Sequence, residues 1–285
     1  MIKEHLFVKC NSEVNLSVNR VRSDGLSIVL IHGLASNSGL YSAMVEQLSS
    51  LGFDVVTIDL RGHGLSDKPS YGYDYKTISN DIFSILTSLK LKKPLMVGQS
   101  WGGNVVLDFM SRNEFESLGG VLIDGGWIHL KRNFKSFEDV KVVLSPPRFE
   151  HVKLADLETR FKALHKDWTK VSIEGTLMNF HEDDDGFVKP NLSFENHIKI
   201  LKQLYDDDPI LKAKSITQPI MLIVAGSKSS DKAIQVTELE SCLKVYKTFW
   251  YENADHDIHA QMPELVTGLI NNEINSGIFH ANLSQ

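Results

Sequence analysis

A mostly parallel, eight-stranded α/β sheet with helices on both faces and an inserted helical cap is the fold class that this sequence predicts. Three observations carry the expectation. Short apolar runs alternate with helix-length amphipathic stretches, as parallel strands alternate with their crossover helices. Most of those runs end in Gly, Asp or His, where an open α/β sheet carries its functional loops. Between Trp127 and Ser215 this rhythm stops and an interrupted helical pattern replaces it.

Taken in order, Leu6 to Cys10 and Val14 to Arg22 alternate in polarity and read as an antiparallel hairpin at one edge. The buried strands are expected at Ser27 to Ile31, Asp54 to Ile58, Pro94 to Val97, Gly120 to Ile123, Ile220 to Ala225 and Lys247 to Tyr251. In the interrupted segment, breaks fall at Pro146-Pro147, Asp183-Asp184-Asp185-Gly186 and Asp206-Asp207-Asp208-Pro209. Ile198, Leu201, Leu204 and Tyr205 recur at helical spacing, so one face of that helix should be buried. Both acidic triplets read as solvated turns, and neither fits the D-x-D-x-D-G-x5-E calcium loop. The expected division is a core of 1–126 and 216–285 with a cap of 127–215.

At 285 residues, 42% hydrophobic and 23% charged, the chain can bury about three quarters of its unfolded surface around a core of its own. Its formal charge of −6 argues against a nucleic-acid partner, which usually demands a basic excess. Cys10 and Cys242 are far apart and form no C-x-x-C or Cys-His spacing suited to zinc, which fits a reducing compartment. No signal-peptide pattern opens the chain and no window reaches the roughly 18 apolar residues of a membrane span, so a cytoplasmic location is expected.

The strongest chemical signal is Gly98-Gln99-Ser100-Trp101-Gly102-Gly103, set between an apolar strand and the helical stretch Asn104 to Arg112. A tight strand-turn-helix of this kind projects the Ser100 hydroxyl above the sheet, with glycines where a Cβ would collide with neighbouring backbone. It also puts the serine at a helix N-terminus, whose free N–H groups favour developing negative charge. After the strand Ser27 to Ile31 comes His32-Gly33-Leu34-Ala35-Ser36. Acyl transfer needs two backbone donors aimed at the oxyanion, and these are expected from Leu34 and Trp101. A serine hydroxyl also needs a base at neutral pH, and His256 in Asn253-Ala254-Asp255-His256-Asp257-Ile258-His259 is placed after the last strand to supply it. His32 reads as a loop-organising residue, and His259 as a structural histidine.

In that order these motifs resemble the alpha/beta-hydrolase fold enzymes. The resemblance rests on His32-Gly33, on Asp59-Leu60-Arg61-Gly62-His63-Gly64-Leu65-Ser66, on the Ser100 turn, and on Asp255-His256 followed by Pro263-Glu264, and it spans essentially the whole chain. It implies a triad in the chain order Ser, acid, His, and gives His63 no place in that triad. The acid departs from the family's commonest pattern, an aspartate in G-x-x-D after the seventh strand. Here that segment reads Gly226-Ser227-Lys228-Ser229, and the first carboxylate after it is Asp231. Asp231 serves if the loop is two residues longer, and Asp124 serves if the acid has moved to the end of the sixth strand, as in some haloalkane dehalogenases. The departure at Ser229 favours Asp124, whose Gly125-Gly126 sequel permits a sharp turn. Asp257 is a third, weaker candidate because it adjoins its own histidine.

The resemblance implies hydrolysis of a small, hydrophobic carboxylic ester through an acyl-enzyme, with no metal or cofactor and a small-molecule substrate. Among the aromatic residues of the cap and those over Ser100, Trp127, Phe134 and Trp168 are the candidates for lining the substrate pocket, with Trp101, Phe161, Phe180 and Phe187 as further apolar surface. Lactonase, thioesterase and carbon-carbon bond hydrolase activities remain open on this fold, as does a small-molecule receptor that keeps the triad with slow or no turnover.

Overall fold

The computed structural model describes residues 2–11, 13–114, 116–228 and 231–280. In chain order its strands are β1 (Ile2–Lys9), β2 (Asn15–Arg22), β3 (Ser27–Ile31), β4 (Asp54–Ile58), β5 (Leu95–Gln99), β6 (Gly119–Ile123), β7 (Phe180–Glu182), β8 (Val188–Pro190), β9 (Ile220–Ala225) and β10 (Tyr246–Tyr251). Eight of them form one sheet in the order β1-β2-β4-β3-β5-β6-β9-β10. The β1-β2 and β2-β4 pairs are antiparallel and the remaining pairs run parallel.

Strands β4, β5, β6 and β9 are buried along their whole length, as parallel strands covered on both faces should be. Successive residues point to opposite faces, so each strand feeds two cores. Val29, Ile31, Val56, Ile58, Met96 and Leu122 pack on one side, against helices Tyr75–Ser88 and Trp101–Arg112. Ile28, Leu30, Val55, Leu95, Val97 and Val121 pack on the other, against helices Ser42–Ser50 and Pro263–Asn275. Helix Tyr75–Ser88 begins where the Asp74 carboxylate accepts the Thr77 N–H at 2.9 Å, and it buries Ile78, Ile82, Ile85 and Leu86 at helical spacing.

Residues 127–215 add nothing to the large sheet. They form helices Leu130–Asn133, Phe137–Leu144, Leu154–Leu164, Lys170–Leu177, Phe194–Asp206 and Pro209–Ala213, together with the β7-β8 hairpin. The hairpin corrects the expectation of a purely helical segment. Its strands are three residues each, too short to show a period of two, and Asp183 closes the turn by accepting the Asp185 and Phe187 N–H groups. The second acidic triplet is not a solvated turn, unlike the first, whose Asp184 and Asp185 are exposed in the hairpin turn. Asp207 pairs with Lys212 at 2.6 Å, and Asp208 caps helix Pro209–Ala213 through the Ile210 N–H at 2.9 Å. On helix Phe194–Asp206, Leu201 and Leu204 are buried and Ile198 and Tyr205 pack against the core, and the helix lies against helices Leu130–Asn133 and Phe137–Leu144 of the same segment. Among the described residues no helix is long and apolar enough to cross a membrane.

Candidate active site

Strand β5 ends at Gln99 and helix Trp101–Arg112 starts two residues later, leaving Ser100 alone in the turn at φ 53°, ψ −122°. That left-handed φ costs a non-glycine residue about 1–3 kcal/mol and is held by its surroundings. Ser100 N–H donates to Ile123 O of β6 at 2.9 Å, and Gly103 N–H closes the turn on Ser100 O at 2.9 Å. A Cβ on Gly98 would collide with Gly102 O, and one on Gly102 with Ile31 O, so these two positions admit only glycine.

His256, in the loop after β10, reaches across the end of the sheet. Its Nε2 lies 2.9 Å from Ser100 Oγ and its Nδ1 lies 2.6 Å from Asp124 Oδ2. A carboxylate can only accept, so Nδ1 carries the proton and Nε2 is free to accept from the serine hydroxyl. Asp124 follows β6 in a second strained turn, at φ 40°. Its side chain is 1% exposed, whereas that of His256 is 53% exposed. Asp124 Oδ1 also accepts the Ala225 N–H at 3.0 Å, and the Lys232 ammonium lies 2.9 Å from both carboxylate oxygens. Of the two aspartates open from the sequence, Asp124 is the one that meets His256. Asp231 instead opens helix Asp231–Cys242 as an exposed first-turn residue.

Burial opposes the Asp124 carboxylate, but the His256 hydrogen bond and the Lys232 charge outweigh it and hold the group below its ordinary range. Burial likewise opposes the His256 imidazolium. The Asp124 hydrogen bond, with the Asp257 and Asp124 charges, overcomes that and leaves His256 above its ordinary value. Asp257 is itself pushed up by burial.

Leu34 is the second residue of a turn closed by Ser36 N–H to Gly33 O at 3.3 Å, with Ala35 at φ 56° as the third. The turn does not consume the Leu34 N–H. Trp101 is the first residue of its helix, where an N–H has no intrahelical partner. Two buried histidines fix the loop that carries Leu34. His63 Nε2 accepts the Ala35 N–H at 3.3 Å while Nδ1 donates to Arg61 O at 3.0 Å. His32 Nε2 accepts the Leu60 N–H at 3.0 Å while Nδ1 donates to Gly33 O at 2.7 Å. Burial lowers both of their pKa values and keeps the rings neutral. His259 packs against the Tyr41 ring at 4.7 Å, and burial takes its pKa down to about 3.

A cavity of about 410 Å³ lies between the Ala35-Ser36 turn and the 127–215 segment, with Phe149, Phe161 and Phe180 among its walls. Phe161 and Phe180 are among the aromatics expected to give the pocket apolar surface, whereas none of the three first candidates, Trp127, Phe134 and Trp168, lines it. Trp127 borders a separate pocket of about 170 Å³, Phe134 packs on the main core, and Trp168 is buried with Leu40, Ile173 and Ala260. Large aromatics bury most area where packing is tightest, which placed all three away from the cavity. Sequence reasoning also missed Lys232. One signal was available: a lysine in the first turn of a helix opposes the helix dipole and needs a local anion.

The profile described as alpha/beta hydrolase fold matches residues 27–259. The chain belongs to that family. Within the alpha/beta hydrolase fold, an AB hydrolase superfamily protein, YisY, of Bacillus subtilis is 32% identical over 108 residues, 38% of this chain and 40% of its own length. A 2-(acetamidomethylene)succinate hydrolase of Mesorhizobium japonicum is 23% identical across 90% of this chain and 91% of its own. Among solved structures, an E-2-(acetamidomethylene)succinate hydrolase superposes with a TM-score of 0.78 at 21% identity, over 96% of this chain and 100% of its own.

Proposed function

We propose that the protein is a serine hydrolase that cleaves small carboxylic esters with an apolar acyl or alcohol group through an acyl-enzyme. One observation carries this reading: a single histidine ring bridges a serine hydroxyl in a strained strand-helix turn and a buried carboxylate. In the proposed reaction Ser100 Oγ attacks the ester carbonyl carbon while His256 Nε2 takes its proton. The Leu34 and Trp101 amides receive the oxyanion, and Asp124 stabilises the imidazolium. His256 then returns the proton to the departing alkoxide. Water attacks the acyl-enzyme by the same route and releases the acid and the free serine. The apolar walls of the 410 Å³ cavity support an apolar substituent of fragment size.

The test is the purified protein with 4-nitrophenyl butyrate beside Ser100→Ala, followed by a fluorophosphonate probe. A burst equal to the enzyme concentration, steady turnover, and labelling that all vanish in Ser100→Ala are the expected results. Absence of both turnover and labelling in the unaltered protein would overturn the reading and favour a ligand receptor.

A further inference from the structure

The cavity beside the oxyanion turn contains a charged group that the hydrolytic scheme does not use. Helix Leu154–Leu164 faces it with Leu157, Arg160, Phe161 and Leu164, the i, i+3, i+4, i+7 stripe of a single helical face. Three of the four are apolar and arginine is the exception. On the same helix Lys162 pairs with Glu158 at 2.5 Å, whereas Arg160 has no carboxylate partner among the described residues. No Asp or Glu lines the cavity among the described residues. Its two histidines, His63 and His197, are kept neutral chiefly by burial. Arg160 is therefore the single full charge among the described lining residues.

The depth of the stripe places this charge. Leu157 is 3% exposed at the floor of the cavity, whereas Arg160 and Leu164 are both exposed, so the guanidinium sits at its mouth. The opposite wall holds Ala35 and Ser36, which adjoin Leu34, and His63, whose ring stacks on Trp101 at 5.6 Å. The cavity is thus separated from the residues flanking Ser100 by one turn and one ring. A guanidinium offers five donors in a rigid fork that matches a carboxylate, and the apolar walls next to it would receive the spacer that such a carboxylate carries.

We propose that Arg160 is an anion anchor. The ester processed at Ser100 carries a carboxylate several bonds from the scissile carbonyl, and that carboxylate binds the Arg160 guanidinium at the mouth of the cavity. The inference rests on the serine hydrolase reading and specifies its substrate class: a monoester or ester-acid with an apolar spacer.

The experiment compares two esters of equal chain length, mono-4-nitrophenyl adipate and 4-nitrophenyl hexanoate, on the unaltered protein, Arg160→Gln and Arg160→Lys. A second pair, 4-acetoxybenzoate and phenyl acetate, puts the carboxylate on the alcohol side. In one pair the unaltered protein should prefer the anionic ester. Arg160→Gln should lower that preference in kcat/KM about tenfold, with the anionic ester losing about ten times more than the neutral one, and Arg160→Lys should fall between. Raised salt should erode the preference in the unaltered protein only. The pair that responds shows which side of the ester enters the cavity. No preference in either pair, or a preference that survives Arg160→Gln, overturns the proposal. If no ester is turned over at all, the hydrolase reading has failed separately. The anchor is then judged by whether monomethyl adipate raises the Tm of the unaltered protein but not of Arg160→Gln, and equal shifts or none would overturn it.

Discussion

At the scale of single residues, the site depends on two backbone positions that sequence preference alone disfavours. Ser100 and Asp124 both hold a positive φ, and their turns are tied to neighbouring strands by the hydrogen bonds Ser100 N–H to Ile123 O and Asp124 N–H to Ile223 O. The Ser100 strain was legible, because glycines at 98 and 102 announce a turn that tolerates no Cβ. The acid was legible as a preference for Asp124 over Asp231, taken from the missing carboxylate at Ser229, but no local pattern shows that a carboxylate so far along the chain will meet His256. Asp124→Asn should reduce kcat about 10⁴-fold on a 4-nitrophenyl ester, because the amide leaves His256 in the wrong tautomer, while Asp231→Asn should leave it unchanged. Equal losses in both variants would remove Asp124 from the role.

Lys232 leads to a second residue-scale prediction. The groups facing His256 are Asp124 and Lys232, Asp257 on its own loop, and the buried His259. His256 must be neutral to accept the Ser100 proton, so kcat/KM should fall as pH drops through its pKa, which lies above the ordinary histidine value. Lys232 is a cation that disfavours the imidazolium. Lys232→Met removes it, which raises the His256 pKa further and should move the acid limb of the kcat/KM profile to higher pH. A profile of unchanged midpoint and reduced height would instead assign Lys232 the job of holding Asp124 in place through its contact with Ala225 O at 2.7 Å.

At the scale of elements, the strands that were legible are those whose burial leaves no choice. Runs such as Asp54–Ile58 and Ile220–Ala225 are buried throughout because helices cover both faces, and they match the expected limits residue for residue. Ends set by polar residues shifted: β5 runs on through Gly98 to Gln99, since pairing with β3 and β6 continues there in spite of the glycine. The β7-β8 hairpin escaped because its three-residue strands are held by Asp183 and a few ladder bonds, which leave no periodic trace. Equally hidden from sequence is the buried pair of Arg61, in the loop after β4, and Asp81, on helix Tyr75–Ser88, at 2.6 Å with side chains 0% and 2% exposed. Deleting one member of such a pair strands the other charge. Arg61→Met should therefore lower unfolding free energy by about 3–5 kcal/mol in urea titration. A loss under about 1 kcal/mol, the range of exposed ion pairs, would mean that Asp81 finds other compensation.

At the scale of the whole molecule, the 127–215 segment is seated on the sheet domain through backbone rather than through an apolar side-chain interface alone. A Cβ on Gly175, in helix Lys170–Leu177, would collide with Gly39 O in the 3-10 turn Ser38–Tyr41. Asn37 ties the same contact from the other side, donating to Gly175 O at 2.9 Å and to Asn179 Oδ1 at 2.6 Å. Because Asn37 follows the Leu34–Ser36 turn directly, and Thr176 and Asn179 line the cavity, the position of the helix couples that turn to the cavity wall. Gly175→Ala must lift the helix or strain the turn, and overpacking of this kind costs about 1–3 kcal/mol. Its Tm should fall, and kcat/KM for 4-nitrophenyl hexanoate should fall more than for 4-nitrophenyl acetate, whose acyl group is too short to use the displaced wall. A lowered Tm with equal losses on both esters would show that the seat carries stability without shaping the cavity. An unchanged Tm would show that the helix absorbs the methyl group and is not held by backbone contact.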